Sequence, residues 1–136
     1  MATETDAYYT VPTTKDVTGA MAAVESALKD EKFSVLWHLD INEKLQEKGL
    51  EPGPAFHVLE VCSAPRAKEA LSTNQQVGYF LPCKIVVYAD ANHNGETQIG
   101  ILKPELMMNL LGDKRLEPLA EEVGAALKRA VNHAAH

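Results

Sequence analysis

Two thiols carry the most pointed chemistry in this chain. Cys62 ends the run Phe56-His57-Val58-Leu59-Glu60-Val61-Cys62, and Cys83 follows Pro82 inside the apolar stretch Tyr79 to Tyr88. Both runs read as strands, the first apolar on both faces as an internal strand should be. Side chains alternate along a strand, so Cys62 shares a face with Glu60, Val58 and Phe56. Cys83 shares one with Leu81, Ile85 and Val87, while Lys84 points the other way. Pro82 removes a ladder donor, which predicts an edge strand or a bulge that re-aims a side chain. Cys62 lies just before an expected helix start at Ser63, where backbone N–H groups and the helix dipole lower a thiol's pKa. A reactive pair is one reading. The other is that both thiols simply pack, since free cysteine is among the most buried residue types.

The pair lies 21 positions apart, with no Cys-x-x-Cys and no zinc-finger spacing. Glu60 and Lys84 raise a separate question, because charges in the middle of apolar strands must find partners or face a cavity. A Glu60–Lys84 pair across neighbouring strands is the structural answer, and polar lining of a ligand pocket is the functional one. Of the histidines, His38 sits near the end of a short strand, His57 inside the next one and His93 in a turn; His133 and His136 fall in the tail. A metal site would need three or four of His38, His57, Cys62, Cys83 and Glu60 to converge, with His38, His57 and Cys83 as the candidate set. His57 reads equally as a hydrogen-bonded core or interface histidine. Gly-x-Ser-x-Gly, a phosphate-binding glycine loop and His-Glu-x-x-His do not occur, so no catalytic residue is assigned.

These groups need a scaffold, and the chain is long enough to build one. Its 136 residues, 46% hydrophobic and 24% charged, match one globular domain with a real core. Thirteen basic against nineteen acidic side chains give a formal charge of −6, which disfavours nucleic-acid binding. No apolar run approaches the roughly 20 residues of a membrane span, and no signal-peptide pattern opens the chain. The expected address is the cytoplasm, where thiols stay reduced. Residues 1–7 and 132–136 are expected to fray.

Periodicity places the elements. Tyr8 to Val11 is a short strand, Thr13 a helix cap, and Val17, Met21, Val24 and Leu28 form an apolar helical stripe. Lys32 to Leu39 reads as a strand, followed by a helix capped by Asp40 and stopped at Gly49. Ser63 opens a helix through Leu71. Asn94-Gly95 marks a hairpin with Thr97 to Leu102 as the return strand. Leu116, Leu119, Val123, Leu127 and Val131 form the stripe of a last helix, with Asp113 as its cap. The order β-α-β-α-β-α-β-β-α-α predicts a single α+β domain with a mixed sheet of about five strands, covered mainly on one face. An uncovered second face predicts a homodimer.

Val61-Cys62-Ser63-Ala64-Pro65-Arg66-Ala67, followed by Phe80-Leu81-Pro82-Cys83-Lys84-Ile85-Val86-Val87-Tyr88, resembles the family known as domain of unknown function 302. Phe33 to Asp40 and the Ile-Gly-x-Leu-x-Pro of Ile99 to Pro104 extend the resemblance over nearly the whole chain. Ser63 and Ala64 stand where the family usually has Asn-Pro, and His38 where many members have an acidic residue. The resemblance implies a small α+β fold, dimeric, with no settled biochemical role. Three functions stay open: a non-enzymatic domain that binds or senses a small ligand or sulfur species around Cys62, Cys83, Glu60, His57 and Lys84; a metal or haem binder using histidine and cysteine; and an interaction module with both thiols in the core. No particular cofactor is implied.

Overall fold

A computed structural model describes all 136 residues. The strands are β1 (Thr3–Glu4), β2 (Tyr8–Thr13), β3 (Ser34–Asp40), β4 (Phe56–Cys62), β5 (Cys83–Asp90) and β6 (Glu96–Leu102). The helices are α1 (Val17–Asp30), α2 (Ile41–Glu47), α3 (Ala64–Thr73), α4 (Pro104–Leu111) and α5 (Glu117–Ala135). Short 3-10 turns fill Gln75–Phe80, Ala91–His93 and Lys114–Leu116. The expected order of elements is present, with β1 added in front.

The sheet has six strands in the order β1-β2-β6-β5-β4-β3, and every pairing is antiparallel. The expected mixed sheet of about five strands is corrected on both points. A helix between two strands suggests a parallel crossover, but β3–β4 and β4–β5 pair directly with their sequence neighbours. Here α2 and α3 are excursions between antiparallel neighbours, and α3 packs on α5 and the Gln75–Phe80 turn. Only α1 carries the chain across the sheet, from β2 to the edge strand β3.

The core lies between one sheet face and the pair α1 and α5. Val11, Leu59, Ile85, Val87, Ile99 and Ile101 come from the sheet, facing Val24 and Leu28 of α1 and Leu127 and Val131 of α5. Alanines 20, 27, 126, 130 and 134 fill the same layer and let the helices lie close. Fully burying one such Leu, Ile or Val stabilises the fold by roughly 1.5–3 kcal/mol. No helix is long and apolar enough to cross a membrane.

Local chemistry shifts some expected boundaries. Asp16, not Thr13, caps α1 by accepting from the Gly19 amide at 2.7 Å. The Thr13 hydroxyl instead donates to the Ala135 carbonyl at 2.8 Å. Asp40 caps α2 as expected, accepting from the Asn42 and Glu43 amides. Asn94 and Gly95 take positive φ values of 57° and 77°, which the tight turn needs. Tyr79 and Phe80, read as the start of a strand, belong to the 3-10 turn Gln75–Phe80, so Pro82 precedes β5 and removes no ladder bond. β5 is central rather than an edge, and the bulge lies in β3 between Val35 and Trp37.

The terminal segments, expected to fray, are tied to the fold: residues 1–6 are exposed but β1 pairs with β2, and the tail packs on the core. Glu4 in β1 takes Lys103 and Lys128, each at 2.7 Å, and these ammoniums, Lys103 foremost, hold its carboxyl down to about 2. Tyr9 donates its hydroxyl to Asn132 at 2.7 Å, and Ala134 and Ala135 are buried. Leu127→Ala, in the middle of this layer, is expected to lower stability by about 2–5 kcal/mol in urea unfolding, as buried leucine truncations do. Substitution of exposed Leu110 by Ala should change it by less than about 0.5 kcal/mol.

Candidate functional site

The register of β4 on β5 distributes the chemically interesting residues. Val61 pairs with Cys83, Glu60 with Lys84, and His57 with Val87. Antiparallel pairing therefore sets the cysteines at one end of the two strands and His57 near the other.

At the cysteine end, the sheet and the helices α3, α4 and α5 enclose a cavity. Fifteen of its eighteen lining residues are hydrophobic, including Val77, Met107, Leu116 and Ala120. Its free volume is about 50 Å³. Cys83, 8% exposed, and Cys62 both border it, and the two sulfurs are not bonded. Burial pushes the Cys83 thiol up to about 11, with a smaller contribution from nearby Cys62, and raises Cys62 as well. The Cys62 shift is thus opposite in direction to the lowering expected from the α3 N-terminus, and its cause is desolvation of the thiolate by burial. At neutral pH both groups are protonated thiols, poor nucleophiles and poor metal ligands.

Arg66 and Ser63 bring other polar side chains to this cavity. Arg66 is clamped: Nη1 donates to the Glu31 carbonyl at 2.8 Å, Nε to Glu122 at 3.3 Å, and the guanidinium lies 5.2 Å from the Phe33 ring centre. Ser63 occupies the α3 cap position but makes no side-chain capping bond. The sequence marked Ser63 only as a helix start and gave Arg66 no site role. Their significance depends on a roof from α4 and α5, some 40–60 positions away, which no local pattern signals.

The other expected residues lie elsewhere. The Lys84 ammonium meets the Glu60 carboxylate at 3.3 Å, the cross-strand pair anticipated, on the sheet face opposite the core. His57 and His38 come together, with His38 Nε2 and His57 Nδ1 2.7 Å apart. Cys83 does not join them. It starts β5 four residues before Val87, the partner of His57, a separation of about 13 Å along a strand. The candidate set His38, His57 and Cys83 is therefore not assembled, and no group of three or more His, Cys, Asp or Glu side chains is placed to hold an ion. The five candidate ligand-binding residues likewise divide between a cavity (Cys62, Cys83), the open face (Glu60, Lys84) and the histidine pair.

The raised thiol pKa has a consequence for stability. An unfolded cysteine ionises near pH 8.5, whereas Cys83 in the fold ionises near 11. The folded state retains the proton longer, so this contribution is full below the unfolded value and is lost as pH rises toward 11. Urea midpoints are expected to fall between pH 9 and 11 in the wild type, and less steeply in Cys83→Ala. Native-state reaction with a thiol reagent at pH 8 should be faster at Cys62, the more exposed of the two.

Residues 9–134 match the family described as Domain of unknown function DUF302. The chain is also similar to a solved structure, an uncharacterized conserved DUF302 protein from Bacillus stearothermophilus, at 38% identity and a TM-score of 0.88. That alignment covers 93% of this chain and 97% of the other. No curated protein matches. With the family matched over almost its whole length and the same fold in a relative of 38% identity, this chain belongs to the DUF302 family.

Proposed function

We propose that this protein is a non-enzymatic binding domain that holds a small apolar molecule in the cavity beside Cys83. The observation that carries the reading is the lining, fifteen hydrophobic residues of eighteen, the two protonated thiols among them, beside a clamped arginine. Pockets of this kind bind by excluding water, with a few polar groups to orient the ligand. The limited free volume favours a thin molecule, such as a short alkyl chain, over a ring system. Protonated thiols favour soft contact with the ligand over covalent exchange with a sulfur species. A cytoplasmic setting, where Cys62 and Cys83 stay reduced, suits this role.

The test is titration with 1-hexanol followed by backbone amide NMR. Shifts are expected at Val77, Cys83 and Leu116, and Ala120→Phe, which fills the cavity, should abolish them. Shifts that are absent, or that persist unchanged in a folded Ala120→Phe variant, overturn the reading.

A second reading concerns the open sheet face, and its register favours a homodimer. Phe56, Val58 and Glu60 on β4 lie directly opposite Tyr88, Val86 and Lys84 on β5. The Phe56 and Tyr88 rings stack at 5.1 Å, and no helix covers this face. A two-fold axis parallel to the strands and midway between β4 and β5 places each residue over its cross-strand neighbour in the second copy. Val58 then meets Val86, and Glu60 meets Lys84, so the face is complementary to itself in both shape class and charge. Sedimentation should show a wild-type dimer, converted to monomer by Val86→Arg. Chains carrying Glu60→Lys or Lys84→Glu should each be monomeric alone and pair when mixed. A monomeric wild type sinks this reading, while a dimer indifferent to these changes sinks the axis.

A further inference from the structure

Outside the cavity, the least explained chemistry is the contact between His38 and His57, and we infer that these two imidazoles form a binding site for a divalent ion of the copper–nickel type. The backbone sets up the pair. His38 pairs with Leu59 and Asp40 with His57, so the two histidines are diagonal neighbours on β3 and β4. Simple alternation from Val35 would put His38 on the opposite face from His57, because Val35 pairs with core-facing Val61. The bulge between Val35 and Trp37 adds one residue and reverses the phase. Trp37 turns out opposite Glu60, and His38 turns onto the His57 face. Re-aiming one side chain is what a bulge does, here at the edge strand.

The geometry then selects the ion. The facing nitrogens, His38 Nε2 and His57 Nδ1, are 2.7 Å apart, and without an ion a single shared proton serves the contact. Metal–imidazole bonds are about 2.0–2.1 Å long, so two in adjacent positions of a square or octahedral ion hold nitrogens about 2.9 Å apart. In a tetrahedral ion the separation is about 3.3–3.4 Å by the same bond lengths. The first needs an opening of about 0.2 Å and the second about 0.6 Å, and in both each ring must also turn so that its lone pair leaves the other nitrogen and aims at the ion. A tetragonal ion matches the nitrogen separation more closely than tetrahedral zinc does. Two imidazoles also suit copper, which stands highest among divalent first-row ions for such donors. His38 is exposed and His57 half-buried, so an ion can reach both. Asp40, opposite His57, and Glu43 in the hollow beside His38 favour a cation, with Lys44 as the opposing charge. No third side chain reaches the position, so water completes the coordination.

The test uses the full chain, titrated calorimetrically with Cu(II) and with Zn(II), and electron paramagnetic resonance of the copper form. One Cu(II) per chain is expected, with hyperfine structure from two imidazole nitrogens and weaker Zn(II) binding. His38→Ala and His57→Ala should each weaken Cu(II) by at least the roughly tenfold to hundredfold that loss of an outer-shell partner costs. A variant with both His133 and His136 changed to Ala should bind like the wild type, as should His93→Ala. Undiminished binding in a folded His38→Ala or His57→Ala chain overturns the site, and so does loss of binding in the tail variant. Zn(II) bound as tightly as Cu(II) overturns the tetragonal geometry.

Discussion

The antiparallel ladder between β4 and β5 is the constraint on which the rest depends. Its register decides at once that Val61 lies beside Cys83, Glu60 beside Lys84, and Phe56 beside Tyr88. Because the side-chain period of a strand is two, a slip of one residue would move Leu59, Val61, Ile85 and Val87 out of the core. Those four residues are each no more than 1% exposed, so the hydrophobic layer holds the register firmly. Everything chemically distinctive in the molecule is placed by that layer without being part of its purpose.

The two faces of the ladder lead to different consequences. Toward the helices, the strands contribute the floor of an apolar layer, and where α1 and α5 no longer fill it, near the start of β5, a cavity remains. Burial there keeps the thiols protonated, which turns an apparently reactive pair into neutral lining. On the opposite face, no helix covers Val58, Val86 and their neighbours, and the Glu60–Lys84 pair satisfies two charges in an otherwise largely uncharged surface. A pair exposed to this degree contributes little stability by itself. Its consequence is for recognition, since it gives the face a charge pattern.

The edge strand shows how one extra residue can alter chemistry. β3 carries its bulge where the chain passes from core-facing Val35 to Trp37, and the change of phase joins His38 to His57. The same irregularity turns Trp37, about half exposed, onto the open face beside Glu60. Bulges also twist an edge away from further pairing, which suits a strand with a free side.

The amino-acid order by itself determined the five helices and five of the six strands, because their signals are local. Asp40 as a cap, Asn94-Gly95 as a turn, and the stripe Leu116, Leu119, Val123, Leu127 and Val131 each depend on neighbours within a few residues. The Glu60–Lys84 pair was legible too, since two central charges on adjacent apolar strands have few other partners. Strand order, the antiparallel sense of the pairings outside the β5–β6 hairpin and the anchoring of the chain ends were not legible, because they depend on contacts between residues up to about 120 positions apart, such as Thr13 with Ala135. The thiols began as the obvious chemistry of the sequence, and only tertiary burial decided that their pKa values rise rather than fall. The histidines gave no spacing signal, and only the bulged ladder brought them together. A residue's type is written in the chain, but its protonation, its neighbours and the face it shows are set by what the fold packs around it.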